Sequence, residues 1–205
     1  MRSALFLPLI LTIVLWTSVG AKNYRWTAAL DRSSGIATSL EVSSAPLSNR
    51  PWTKDVCVRT IFATYPVWLV KPSVTGGILK AKSNPNGSTT IHLRGFGHNI
   101  LTFQRHVARG KDSILLPIAG GVLALPNPNS RTRKYGGAIS FSMNKNRILE
   151  TKIERGYRPS IAGYSPVSRV RALTYRSTQS LFHAYVMWRF HMHCHDAAAA
   201  PHPSL

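Results

Sequence analysis

The stretch SPVSRVRALTYRSTQSLFHAYVMWRFHMHCH, residues 165–195, decides the fold, because neither glycine nor proline interrupts it from Val167 to His195. Ser165-Pro166 places a capping hydroxyl ahead of a proline at a first helical position. Val170, Leu173, Leu181, Tyr185, Trp188 and Met192 then recur at helical spacing, with Arg169, Arg171, Arg176 and Gln179 between them. The pattern predicts one long C-terminal helix with a break near Ser177 to Ser180. The Ala- and Pro-rich tail, residues 197–205, is expected to be disordered.

On that helix His183, Met187, His191 and His195 step by four, with Cys194 beside the last. Four-residue steps stack side chains on one face. His191 and His195 could chelate one divalent ion, and Met187 or a thiolate at Cys194 would bias the site toward copper, with zinc as the other candidate. Packed or solvated histidines are the alternative, since short histidine-rich tracts are compositional evidence only. No carboxylate completes a helical zinc-protease pattern, because Met192 stands where its Glu would be. The triplet His193-Cys194-His195 is similar to a copper segment of multicopper oxidases over three residues only, too little to carry the family's fold or chemistry here.

Upstream of the helix the grammar is that of strands: short runs rich in β-branched and aromatic residues between Gly, Pro, Asn, Asp and Ser clusters. The predicted strands are Tyr24 to Leu30, Ile36 to Val42, Val56 to Tyr65, Val67 to Val70, Ile78 to Lys82, Thr89 to Leu93, Ile100 to Val107, Ser113 to Leu116, Val122 to Leu125, Ala138 to Met143 and Ile148 to Ile153. The expected fold is a single β-rich α+β domain over residues 22–196, an antiparallel barrel or curved sheet gripping the C-terminal helix. A two-sheet sandwich with the helix outside is the alternative. A gripped helix can leave an apolar cavity, which makes a carrier of a small apolar ligand a second functional class.

The clearest hairpin lies at Ser83-Asn84-Pro85-Asn86-Gly87-Ser88, where Asn-Gly readily takes positive φ. Asn86 also opens an Asn-Gly-Ser sequon, a candidate glycosylation site. The loop from Pro126 to Gly137 carries Arg131, Arg133 and Lys134, a basic tip that could bind a polyanion or simply be solvated. Gly76-Gly77, Gly95-Phe96-Gly97 and Gly120-Gly121 read as strand-end or bulge glycines, since none leads into the Lys-Ser/Thr of a phosphate loop.

The chain opens with Arg2, an apolar run from Ala4 to Trp16 and the small residues Val19-Gly20-Ala21. That is the tripartite form of a secretory signal peptide over residues 1–21, with cleavage expected before Lys22. A single-pass anchor through residues 4–21 is the alternative, disfavoured by Pro8 and by the short apolar core. Cys57 and Cys194 are the only cysteines and could form one disulfide in an oxidising compartment or equally stay free.

Charge is the strongest compositional signal: 26 Lys plus Arg stand against 7 Asp plus Glu, a formal net charge of +19. Such a field attracts polyanions. The expectation is a secreted, strongly basic binding protein whose partner is an anionic lipid surface, a sulfated glycan, a nucleic acid or an acidic protein. Paired-carboxylate catalysis is poorly served by so few acids, and no Gly-X-Ser-X-Gly elbow supports a hydrolytic triad. The histidine face is the one pattern from which an enzyme could be built.

Overall fold

A computed structural model describes residues 24–44, 58–125, 136–144, 146–154 and 156–199. The strands are β1 (Tyr24–Leu30), β2 (Ala37–Ser44), β3 (Leu79–Ser83), β4 (Thr89–Leu93), β5 (Asn99–Phe103), β6 (Val107–Ala108), β7 (Ser113–Gly120), β8 (Ala124–Leu125), β9 (Ala138–Met143), β10 (Ile148–Glu154) and β11 (Arg158–Pro159). The helices are α1 (Val58–Ala63), α2 (Tyr65–Leu69), α3 (Pro72–Thr75), α4 (Arg169–Tyr175) and α5 (Leu181–Ala199), the last two joined by a π turn, Arg176–Ser180.

One antiparallel sheet runs in the order β1-β2-β10-β9-β7-β5-β4-β3, with β6 added on β7 and β8 pairing separately with β11. The ends of that path do not meet, so the sheet is open rather than a barrel. Register shifts between Ile91 and His92 and between Thr102 and Phe103 mark bulges, which bend the sheet where β4, β5 and β7 adjoin. The second sheet has two short strands, so a sandwich is not formed either. Lys80 and Lys82 are exposed on the edge strand β3, where charge discourages further pairing.

Two predicted strands are helices. Of the runs from Val56 to Tyr65 and from Val67 to Val70, the described residues Val58–Ala63 form α1 and Tyr65–Leu69 form α2, with α3 following. Their aromatic and β-branched content suggested strand, but Phe62, Tyr65 and Leu69 recur at three and four residues and all are buried. Pro66 in the first turn of α2 and Pro72 in that of α3 are also well placed for helix starts. Tertiary packing decides between the two forms.

These helices place an aromatic cluster over the middle of the sheet. Tyr65 packs on Phe190, Phe141 and Phe103 at ring separations of 4.9, 5.3 and 5.8 Å, and Phe62 stacks on Phe141 at 5.6 Å. Each such pair contributes about 0.5–1.5 kcal/mol beyond the area it buries. The cluster joins the sheet, α1–α2 and the C-terminal helix into one core.

The C-terminal helix starts later than the Ser-Pro dipeptide suggested. Ser168 is the N-cap, its hydroxyl accepting the Arg171 N–H at 3.2 Å, while Ser165-Pro166 is a cis peptide ahead of the helix. The expected break near Ser177 to Ser180 is the π turn. There Ser177 and Thr178 donate their hydroxyls to the carbonyls of Leu173 and Thr174 at 2.9 and 2.5 Å, and such back-bonding competes with the helical ladder.

The hairpin forms between β3 and β4 as expected, but its turn is closed by the Gly87 N–H donating to Asn84 O, with Gly87 at φ +78. Ala197 belongs to α5, so the described start of the Ala-rich tail is helical.

Candidate functional site

Strand β2 turns Ala37, Ser39, Glu41 and Ser43 inward, the alternation giving a buried row that is polar at three of four positions. Glu41 is fully buried, opposite Trp26 on β1 and Thr151 on β10. The histidine face of α5 lies over this row.

The structure divides the three histidines. His183 Nε2 lies 3.2 Å from Glu41 Oε1 and 3.3 Å from Ser39 Oγ. Neither Glu41 oxygen has a directed hydrogen bond, so the Glu41–His183 contact is an ion pair when the ring is protonated. Further along, Ser43 Oγ sits between His191 Nδ1 at 2.7 Å and His195 Nε2 at 3.0 Å, and Thr151 Oγ1 meets His191 Nε2 at 2.8 Å. Two neutral rings satisfy this chain: Thr151 donates to His191, His191 to Ser43, and Ser43 to His195. Tyr24 closes the end of the row, packing edge-on to His191 at 5.5 Å and donating its hydroxyl to Ala184 O at 3.1 Å.

Burial sets the protonation of the group. Desolvation, with the neighbouring His195 and His183 adding to it, pulls the His191 pKa down to about 3. His195 is held below its usual value by burial, with Asp196 opposing. The tyrosines around Glu41 shift the other way: burial first, and then the carboxylate's charge, raise Tyr24 and Tyr65 well above the phenol range and push Tyr175 up to about 12. Their hydroxyls stay neutral at any physiological pH.

For metal binding, both His191 nitrogens face hydroxyls, and no group of three His, Cys, Asp or Glu side chains among the described residues is placed to hold an ion. Burial raises the Cys194 thiol far from the range in which a thiolate ligand forms, and Met187 is wholly buried in the core. For a hydrolytic centre, the carboxylate and the hydroxyl both meet His183 through Nε2, whereas a triad needs them on opposite nitrogens. These polar contacts join α5 to β2 through Ser39, Glu41 and Ser43, to β10 through Thr151 and to β1 through Tyr24.

Behind His183 lies a cavity of about 80 Å³ lined mainly by apolar side chains, with Tyr65, Tyr157, Tyr175 and Gln179 among them. Ligand pockets run to about 300–1,000 Å³. A water occupies about 30 Å³ of liquid, so the cavity is of the size of a few waters.

Asn86 is exposed at the β3–β4 turn, where its Oδ1 accepts from both the N–H and the hydroxyl of Ser88 at 3.0 and 2.7 Å. Cys194 is buried and no disulfide occurs among the described residues; Cys57 lies outside them. Arg131, Arg133 and Lys134, and residues 1–21, also lie outside them. Sequence reading missed Ser39, Glu41, Ser43 and Thr151 as the partners of the histidines. The signal was the alternation Ser39-X-Glu41-X-Ser43, which begins in the predicted strand Ile36 to Val42 and ends one residue past it, and which puts three polar groups on one face.

No protein-family model matches this chain, and no curated protein matches it.

Proposed function

We propose that this is a secreted basic binding protein that acts on a polyanionic partner or surface. The observation that carries the reading is the formal net charge of +19. Its distribution supports the same view. Among the described residues, Lys/Arg–carboxylate ion pairs form at Arg109–Glu154 and Lys152–Glu150, while Arg25, Arg32, Lys71, Lys80, Lys82, Arg94, Arg105 and Lys111 are exposed. Asp31 holds its charge locally, its carboxylate lowered to about 2 by hydrogen bonds from Ser34 and Ser33.

Export through a cleaved leader, residues 1–21, would deliver this field to lipid surfaces, sulfated glycans or released nucleic acid. The chemistry asked of the protein is counterion release, with no bond made or broken. The test is chromatography of the mature chain on immobilised heparin, together with sedimentation with anionic vesicles, as salt is raised. Binding should weaken steeply with ionic strength. Elution at or below physiological salt, with no vesicle binding, would leave the charge a matter of solubility alone.

A further inference from the structure

We infer that α4 and the turn before it form a docking surface for an anionic lipid bilayer, an inference that rests on the polyanion reading and names its partner. Val170 and Leu173, one helical turn apart, are 74% and 68% exposed, and Tyr164 just before the helix is 65% exposed. Arg169, Arg171 and Arg176 are exposed on the same short segment. A β-carbon built on Gly163 would collide with the Arg171 guanidinium, so the turn carrying Tyr164 lies beside the helix. By helical spacing Val170 and Leu173 share the solvent face of α4, flanked on one side by Arg169 and Arg176 and on the other by Arg171 with the Tyr164 turn.

The charge pattern narrows the partner to an anion. Residues 155–195 contain six arginines and no aspartate or glutamate. The apolar residues narrow it further. A sulfated glycan or a nucleic acid backbone gains little from exposed Val170 and Leu173, whereas a bilayer accepts aliphatic side chains below the headgroups while arginines pair with phosphates above them. Tyrosine favours that same boundary. No helix among the described residues is long and apolar enough to cross a membrane, so contact by this helix is peripheral.

The experiment compares sedimentation of the full mature chain with phosphatidylserine/phosphatidylcholine vesicles and with phosphatidylcholine alone, beside heparin elution. The wild type should bind the mixed vesicles and not the neutral ones. Val170→Ser with Leu173→Ser should weaken vesicle binding by on the order of tenfold, two partly inserted aliphatic side chains being lost, and leave heparin elution unchanged. Arg169→Gln with Arg176→Gln should weaken vesicle binding by about 25-fold, from about fivefold per charge. All four positions are exposed, so the thermal midpoint should not move, and an unchanged midpoint certifies the comparison. Vesicle binding unaffected by either pair, or heparin binding that falls with the aliphatic pair as much as vesicle binding does, overturns the bilayer surface. Salt-sensitive heparin binding without vesicle binding overturns it too and leaves the polyanion reading standing. Loss of both in the wild type removes both.

Discussion

Glu41 places a carboxyl group in a position with no solvent contact, on the face of the sheet that the C-terminal helix covers. Burying a carboxylate costs several kcal/mol unless a partner offsets it, and here His183 stands at 3.2 Å. Removing either partner strands the other. Glu41→Leu or His183→Leu alone should therefore destabilise the fold by about 3–5 kcal/mol, while the double substitution should lose much less than the sum. Urea unfolding of the four proteins measures the coupling; additive losses would show that the pair does not act as a unit.

His191 makes a second prediction at this scale. Its ring faces Ser43, Thr151, Tyr24 and His195, with His183 and Glu41 further along the same row. Its pKa is about 3 in the fold, against an ordinary 6.5. The unfolded chain takes up a proton as pH falls through 6.5 and the folded chain does not. Stability is thus full above 6.5 and declines toward 3, by about 1.4 kcal/mol per pH unit from this ring. His193 and His195 shift in the same direction and add to the slope, while Asp31 acts only as pH falls below the ordinary carboxylate range toward 2. Urea unfolding at pH 7.5, 6 and 5 should show the decline, and His191→Asn should be less stable at pH 7.5 but flatter. An equal slope in the variant would remove His191 as its source.

At the scale of elements, the joins between strands use glycines at positive φ that differ in how much room surrounds them. Gly137, leading into β9, has φ +129, and a β-carbon there would meet Tyr157 Cβ at 2.6 Å and Cα at 2.8 Å. Gly95, in the β4–β5 turn, has φ +85 but open space around it. Gly137→Ala should therefore cost roughly 3 kcal/mol, from strain and overpacking together, and Gly95→Ala about 1 kcal/mol from backbone conformation alone. Thermal unfolding of the two variants checks the order; equal losses would mean that the Tyr157 contact relaxes freely. Elements also show what was legible beforehand. β1, β4 and β9 coincide with their predicted bounds, because alternation and turn residues are local signals. α1 and α2 were not legible, because their aromatic residues favour strands locally and become helical only where Phe62 and Tyr65 can pack on Phe141 and Phe190.

For the whole molecule, the leading prediction concerns its destination. Mass spectrometry of the protein made in a secretory cell should find Lys22 at the N-terminus, because Arg2, the apolar run and Val19-Gly20-Ala21 have the pattern expected of a cleavable leader. Retention of residues 1–21 in a membrane fraction would replace export with anchoring. Much else at this scale follows from the sequence by itself: the excess of cations, the strand grammar upstream of one long helix, and the break in that helix where hydroxyls crowd residues 177–180. These depend on composition and on neighbours a few positions apart. Only the tertiary structure decided that the sheet stays open, that His183 faces Glu41 while His191 and His195 share Ser43, and that Val170 and Leu173 remain uncovered. Those outcomes depend on pairing order and on contacts between residues far apart in the chain, which no local period encodes.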